Sequence, residues 1–384
     1  MKKKICILGS TGSIGVSSLE IISKDKKNYD VVLLSGNSNY KLLISQATKF
    51  KPKYIYSSNF FLIEKLKSYC KKNKIIIIND INLLKKIKFD ITISAISGIS
   101  GLIPTLNIIK FSKKILIANK ESIICGWKFI SRELKKNKCN FVPIDSEHFS
   151  IYNLIKNTNR NSIKNIYIPA SGGPFFKKKI NLKKVTPSQA IKHPNWKMGK
   201  KISIDSATLM NKILEVIEAS LIFDLPINKF KAVIHPESLI HAIIEFHNGL
   251  SSMLYHYNDM KIPIANSLAS NYFFNQNDRN KLFFKEKHLN ELSFYKINKK
   301  QFPSINILSM NKVLNQTGYI IINSLNEILV SKFMRKEILF TDIVRILCGL
   351  LKSKPVKNYL KETRIQHIND VFKTYNFCKI LLNK

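Results

Sequence analysis

The sequence predicts an α/β protein with an N-terminal doubly wound parallel sheet, a central α+β domain and a C-terminal helical bundle. Three observations carry that expectation. The first 145 residues alternate short apolar runs with helical periods. From 146 to 270 the texture shifts to Gly-, Pro- and His-bearing segments with polar clusters. From 301 to 384 helical periods continue without strong strand signals. The expected domains are therefore 1–145, 146–270 and 301–384. The polar, aromatic-studded segment 271–300 reads as a linker between the last two.

Taken in order, KICILG (4–9) is the first strand and 13–24 the first helix. DVVLLS (30–35) is the second strand, followed by a helix near 39–49. YIYSS (54–58), KIIIIN (74–79), ITISAIS (91–97) and KILIAN (114–119) are further strands with helices between them. Strands alternating with helices pair in parallel, because only a long crossover returns the chain in the same direction. FVPI (141–144) is one more apolar run, and it stops on Asp145-Ser146-Glu147-His148. Beyond it, IYIPA (166–170) and HAIIEF (241–246) read as strands. Residues 206–221 read as one helix capped by Asp205 or Ser206.

Composition narrows the function. At 384 residues with 45% hydrophobic content, the chain is long enough for two or three cored domains. Its longest apolar runs, such as IIII at 75–78, are far too short to span a bilayer. MKKKICILGSTG reads as a first strand running into a glycine loop rather than a signal peptide, so a cytoplasmic protein with no membrane attachment is expected. The six cysteines form no CxxC pair and read as reduced thiols. The balance of 63 Lys+Arg against 25 Asp+Glu gives a net charge of +38. The excess is nearly all lysine, spread over the whole chain and accompanied by abundant Ile and Asn. A nucleic-acid reader would cluster Lys and Arg with interleaved aromatics. Compositional drift is the better reading, although a basic surface still steers an anionic substrate.

GSTGSIG places Gly9, Gly12 and Gly15 between the first strand and the first helix. Glycines there let the backbone turn tightly and approach a pyrophosphate, and the helix start offers N–H groups and a positive dipole end. The N-terminal sheet is thus expected to be Rossmann-like and to bind a dinucleotide. NAD sites carry an acid at the end of the second strand. Here LLSGNSNYK (33–41) has none, and Ser38, Asn39 and Lys41 are able to bond a 2′-phosphate, which favours NADP.

Asp145 and Glu147 lie two apart, so an extended backbone points both the same way. Ser146 joins them only if the strand breaks there. Two carboxylates hold a divalent ion poorly. Glu215, on the helix that carries Asn211 and Lys212, is a candidate third ligand, and three oxygen ligands suit Mg²⁺ or Mn²⁺. An ordinary solvated Lys–Glu pair fits the helix pattern equally well. Ser206, Asn211 and Lys212 make a candidate phosphate pocket, and ASGGPF (170–175) presents Ser171 on a Ser-Gly-Gly turn. His193 to Lys201, with Trp196, Met198 and Gly199, has the punctuation of a closing lid.

These strings together resemble the 1-deoxy-D-xylulose 5-phosphate reductoisomerase family: ILGSTGSIG, ANKES (118–122), PIDSEH, ASGGPF, HPNWKMGKKISIDSATLMNK, IHPESLIH (234–241), DMKIPIA (259–265) and LNE (325–327). The resemblance implies a V-shaped homodimer that reduces and isomerises a sugar phosphate with NADPH and a divalent metal, Mg²⁺ or Mn²⁺ and possibly Co²⁺. It implies metal ligands at Asp145, Glu147 and Glu215. It places the substrate against Ser146, Ser171, His193, Trp196, Ser206, Asn211, Lys212 and Glu215, with Lys120, Glu147, His193 and Glu218 in catalytic roles. Cofactor contacts are implied at Thr11, Gly12, Ser13, Ile14, Asn37, Ser38, Asn39, Asn119, Lys120, Glu121 and Gly199. His148 is expected to support the metal site from behind.

The chain departs from the family pattern at Asn37 and Ser38, where a glycine and a basic residue are usual, so 2′-phosphate recognition is expected to weaken. Pro169, Ile213, Asn266 and Ser270 are further departures, and Ile213 is expected to crowd its helix. Alternatives are another NAD(P)-dependent, metal-assisted oxidoreductase, a basic nucleic-acid-binding protein, and a remnant that binds NADPH without turnover.

Overall fold

The structure, a computed structural model, describes residues 1–85, 87–178, 180–196, 199–270, 290 and 292–383. These form two compact units. The first contains Met1–Ile123, Trp127–Phe149 and residues 259–270.

The first unit is built on β1 (Lys3–Leu8), β2 (Tyr29–Ser35), β3 (Tyr54–Tyr56), β4 (Ile76–Ile78), β5 (Phe89–Ser94), β6 (Ser112–Ile117) and β7 (Asn140–Pro143). They make one seven-stranded sheet in the order β4-β3-β2-β1-β5-β6-β7. Every neighbouring pair is parallel. The chain winds outward from β1 to β4, then returns to β5 and winds outward the other way. The strand order therefore reverses at β1 and β5, and ligands of such sheets bind outside the strand ends at that point. The strands read as unbroken apolar runs because helices cover both faces. Ile5, Ile7, Leu8, Leu33, Leu34, Ile93, Ile115 and Leu116 are all fully buried.

Crossovers are α1 (Ser13–Lys24), α2 (Tyr40–Phe50), α3 (Phe60–Lys72), α4 (Leu102–Ile109) and α5 (Lys120–Lys136). Helix α10 (Lys261–Leu268) also belongs to this unit. Its Lys261 Nζ lies 2.7 Å from Glu20 Oε1, and Tyr29 donates its hydroxyl to Leu268 O at 3.0 Å. Ser270 Oγ lies 3.3 Å from Asp25 Oδ2. The sequence placed 259–270 in the central domain. A helical period shows which face is buried but not what buries it, so the partner was not legible.

The second unit contains Ile124–Gly126, Ser150–Asn258 and the described residues from 290 onward. Its sheet joins β8 (Ile163–Ala170), β9 (Phe230–Ile234), β10 (Ile240–Phe246) and β11 (Ser251–Tyr255) in the order β11-β10-β8-β9. β8 and β9 are parallel and the other pairs antiparallel. β9 and β11 had no clear signal in the sequence. Ile166, Ile168 and Ile244 of the sheet pack with Val216, Ala219 and Phe223 in one core.

The supposed linker 271–300 falls largely on 271–289 and 291, outside the described residues. Its remainder is pinned: Tyr295 bridges Ile234 in antiparallel fashion, and Phe294 stacks on His235 at 4.7 Å. Four helices follow, α11 (Gln316–Met334), α12 (Phe340–Lys352), α13 (Lys354–Glu362) and α14 (Ile368–Asn383). α11 is buried on nearly every side over Thr317–Asn326, as an interior helix is. All six cysteines are free thiols. Among the described residues no helix is long and apolar enough to cross a membrane.

Candidate active site

The glycine loop is fixed from both ends. Gly9 has φ +82°, and a Cβ there would meet the Ala95 carbonyl oxygen at 2.5 Å. Gly15 packs against Gly9 O and Ser10 Cα with no room for a side chain. Beneath the loop, buried Ser10 Oγ lies 2.7 Å from Gln46 Oε1, while Gln46 Nε2 donates to Ser10 O at 2.8 Å. The turn closes with Gly12 N donating to Gly9 O at 3.1 Å. α1 starts at Ser13 with no side chain capping it. Thr11, Gly12, Ser13 and Ile14 form the accessible rim of this loop.

Asn37, Ser38 and Asn39 follow β2 and are exposed. Asn39 Oδ1 accepts from Leu42 N at 3.1 Å as the cap of α2, so the donors it still offers are its amide protons. Asn37 O accepts from Asn59 Nδ2 at 2.7 Å. Asn119 is committed to the scaffold: it caps α5 through Ser122 N and donates to the Ile96 and Gly98 carbonyls. That leaves its main chain for any ligand. Lys120 and Glu121 open α5 beside it.

The segment PIDSEH breaks at Asp145. β7 ends at Pro143 and α6 (Ser146–Ile155) begins one residue beyond the aspartate. Asp145 is the helix cap, since its Oδ1 accepts from Glu147 N at 3.3 Å and its carbonyl from Phe149 N at 2.8 Å. Asp145 and Glu147 bring carboxylate oxygens within 4.8 Å of each other. Ser146 Oγ bonds Glu147 Oε2. Lys120 Nζ lies 3.4 Å from Asp145 Oδ2, and fully buried His148 has Nδ1 3.5 Å from Asp145 Oδ1. Two acids and a hydroxyl thus share one helix start, compensated by an ammonium and by the helix dipole.

The second unit carries further polar side chains of interest. Gly172 (φ +83°) and Gly173 (φ +70°) turn the chain after β8. A Cβ on Gly173 would come 2.8 Å from Ala207 Cα, so the turn rests directly on the end of α8 (Lys200–Ala207), the helix after the short α7 (Pro187–Ala190). Ser171 Oγ consequently lies 2.8 Å from His193 Nε2 and 3.4 Å from Ser206 Oγ. The single helix expected over 206–221 is in fact two. α8 ends at Ala207, Leu209 takes the left-handed conformation at φ +61°, and α9 (Met210–Phe223) starts anew. Ser206 therefore sits in the last turn of α8 and not at a helix start. Asn211 and Lys212 occupy the first turn of α9. An apolar residue with positive φ is uncommon, and the surrounding packing imposes it, which is why no local signal marked the break.

Asn211 Nδ2 and Lys212 Nζ bond the two oxygens of Glu215. Lys212 and Glu215 are only 2% and 1% exposed, so the pair is not the solvated helix face that the pattern also allowed. Glu218 lies one turn on and is equally buried. Ile213 is fully buried and its N–H continues the helix by bonding Leu209 O, so the expected crowding leaves no mark on the backbone.

His193 Nδ1 accepts from Asn195 N at 3.1 Å and from Trp196 N at 3.0 Å. The ring proton is therefore on Nε2, which donates to Ser171. Burial pushes the His193 pKa down to about 4. The unfolded chain then binds more protons than the folded one between pH ~4 and ~6.5, and stability is lost as pH falls through that window. In His193→Gln the pH slope of urea stability between those values is expected to shrink; an unchanged slope would contradict the neutral, buried imidazole. Trp196 stands edge-on to His241 at 6.1 Å, and Asn195 Nδ2 ties the loop to Pro236 O. Gly199 caps α8, while Lys197 and Met198 lie outside the described residues.

Comparison with known proteins covers nearly all of the chain. Residues 5–126 match the family model for 1-deoxy-D-xylulose 5-phosphate reductoisomerase, 141–223 that for its C-terminal domain, and 256–378 the DXP reductoisomerase C-terminal domain. The 1-deoxy-D-xylulose 5-phosphate reductoisomerase of Pelagibacter ubique is 46% identical, with 96% of each chain covered. That of Clostridium tetani is 38% identical over 97% of this chain and 98% of its own. A solved DOX-P reductoisomerase in complex with NADPH, fosmidomycin and magnesium superposes with a TM-score of 0.89 at 31% identity, covering 99% of this chain and 97% of its own. The Zymomonas mobilis enzyme in complex with NADPH gives 0.82 at 30% identity, covering 99% and 98%.

Proposed function

Because the chain belongs to the 1-deoxy-D-xylulose 5-phosphate reductoisomerase family, we propose which of its residues carry out the family's reaction. The protein is an NADPH- and metal-dependent enzyme that converts 1-deoxy-D-xylulose 5-phosphate into 2-C-methyl-D-erythritol 4-phosphate. One observation supports the assignment most: Ser171, His193 and Ser206 converge in the same unit as the buried Asn211–Lys212–Glu215 group.

The substrate phosphate is received by the Ser171 and Ser206 hydroxyls, the Asn211 amide, the His193 Nε2–H and the Lys212 ammonium. All are donors, and the ammonium makes the strongest, charge-assisted bond. The phosphate takes no part in the chemistry, so its binding energy is available for orienting the reacting end. The Trp196 loop excludes water over it.

Asp145, Glu147 and Glu215 are the proposed metal ligands. The donor set fits: all are hard carboxylate oxygens suited to Mg²⁺ or Mn²⁺, and Co²⁺ is acceptable. Asn211 and Lys212 each donate to one oxygen of Glu215, and a carboxylate offers about four lone-pair sites, so these two bonds do not exclude a cation. The chemistry supplied by a bound divalent cation is Lewis-acid polarisation of the substrate's carbonyl and hydroxyl oxygens. Lys120 balances charge at Asp145 and holds protons beside the substrate oxygens, Ser146 orients the sugar backbone, and Glu218 supports its far end. Thr11, Gly12, Ser13 and Ile14 seat the pyrophosphate of NADPH, whose contribution is the hydride. Asn37, Ser38 and Asn39 meet the 2′-phosphate, and Asn119, Lys120, Glu121 and Gly199 flank the nicotinamide half. A homodimer in the cytoplasm completes the proposal, resting on the family resemblance; a single-chain mass by light scattering would sink the dimer.

NADPH absorbance followed with 1-deoxy-D-xylulose 5-phosphate tests the reading. Oxidation is expected with Mg²⁺ or Mn²⁺ and is expected to stop on adding EDTA. Turnover that survives the chelator refutes the metal assignment.

A further inference from the structure

The motif LNE at 325–327 has no place in the reaction described above, yet its asparagine reaches into the phosphate region. Asn326 is fully buried on α11 and donates Nδ2 to Asp205 Oδ1 at 2.7 Å across 121 residues of chain. A carboxylate only accepts, so the amide must face Asp205 with its NH₂ group. Asp205 is itself 1% exposed, and its second oxygen takes Lys201 Nζ at 2.9 Å. Each carboxylate oxygen therefore holds one donor, Lys201 from its own helix and Asn326 from α11. Asp205 immediately precedes Ser206 and stands at the α8 side of the Leu209 corner. A second tie lies at the other side of that corner: Ser304 Oγ donates to Thr208 O at 2.7 Å, also buried.

We propose that Asp205 and Asn326 are positioning residues of the phosphate site. Through their hydrogen bond the interior helix α11 fixes Ser206 and, across the Leu209 corner, Asn211 and Lys212. The reason is geometric. The corner holds a non-glycine residue at φ +61°, a conformation the local sequence does not favour. Contacts from elsewhere in the chain must hold it, and these two buried hydrogen bonds do so. Remove one, and the three phosphate donors lose their common aim while the glycine loop of the first unit keeps its own supports.

The inference rests on the phosphate assignment above, and the test separates the two. In the full-length enzyme, Asn326→Ala is expected to raise the KM for the sugar phosphate and the inhibition constant of inorganic phosphate by at least roughly tenfold, with KM for NADPH little changed. The double variant Asp205→Asn/Asn326→Asp exchanges acceptor and donor at constant charge and is expected to recover most of that loss. A folded Asn326→Ala enzyme with both constants unchanged overturns the proposal. So does a parallel rise in both substrates' KM, which signals general loosening. If both variants lose NADPH binding and their cooperative melt, the pair is a folding element only, and the proposal is equally overturned. Ser206→Ala is the control. If it leaves phosphate inhibition untouched, the phosphate assignment itself is wrong; if it weakens inhibition while Asn326→Ala does not, only the positioning role fails.

Discussion

Glu215→Gln is expected to lower kcat by at least ~10³-fold, about 4 kcal/mol of transition-state stabilisation, while NADPH affinity stays within roughly twofold. The amide is nearly isosteric and keeps an oxygen for Asn211 or Lys212, so the shape of the buried group survives. What it loses is the negative charge on which the proposed role of Glu215 as a divalent-ion ligand depends. The variant also takes the Glu215 charge away from the ammonium of Lys212, 2% exposed, and removing one partner of a buried pair costs on the order of 3–5 kcal/mol. A lower melting temperature is therefore expected too. The two effects separate in one experiment: a stability defect lowers the amount of folded enzyme, whereas loss of a ligand lowers turnover per folded, NADPH-binding enzyme and shifts its Mg²⁺ dependence. Near-normal turnover at ordinary Mg²⁺ would remove Glu215 from the proposed ligand set.

Lys212→Met comes second in size. Its ammonium is the only full positive charge among the proposed phosphate donors, and hydrogen bonds to charged groups are worth ~1.5–3 kcal/mol. Loss of that charge from a buried site is expected to raise the KM for the sugar phosphate ~100-fold, near the upper end of that range. NADPH binding is expected to hold, because the cofactor loop is supported by Ser10 and Gln46 in the other unit. Lys212→Arg should recover little, since its planar fork does not fill the place of a compact ammonium packed against Glu215. Inhibition by inorganic phosphate gives an independent readout, and an unchanged inhibition constant would show that the phosphate sits elsewhere.

The parts legible in the sequence are those fixed by local rules. Gly9 and Gly15 announce a tight turn because each stands where backbone approaches backbone, and the parallel strands announce themselves as apolar runs. The break at Asp145 was legible too, since two acids, a serine and a histidine cannot continue a buried strand. The parts that escaped depend on distant packing. Leu209 carries a conformation its side chain does not advertise, so two helices read as one. Ser206 was consequently placed at a helix start when it lies in a final turn. The Ser171–His193 contact needs the Gly173 turn pressed against Ala207, and Asn326 meets Asp205 only after the C-terminal helices have packed. Residues 292–298 look like linker because their polar and aromatic mix hides the backbone pairing of Tyr295 with Ile234.

The long-range tie between Asn326 and Asp205 bears on the order in which the protein is made. Synthesis runs from the N-terminus, and domains fold as units while they emerge. The glycine loop closes on partners within the first hundred residues, with Ser35, Gln46 and Ala95 all supplied early. The corner at Leu209, proposed above to hold the phosphate donors, waits for Ser304 and Asn326. On the proposed assignment, a nascent chain on the ribosome acquires the architecture of its glycine loop long before the pocket for the sugar phosphate is finished, and a chain truncated ahead of α11 is expected to keep the first without forming the second.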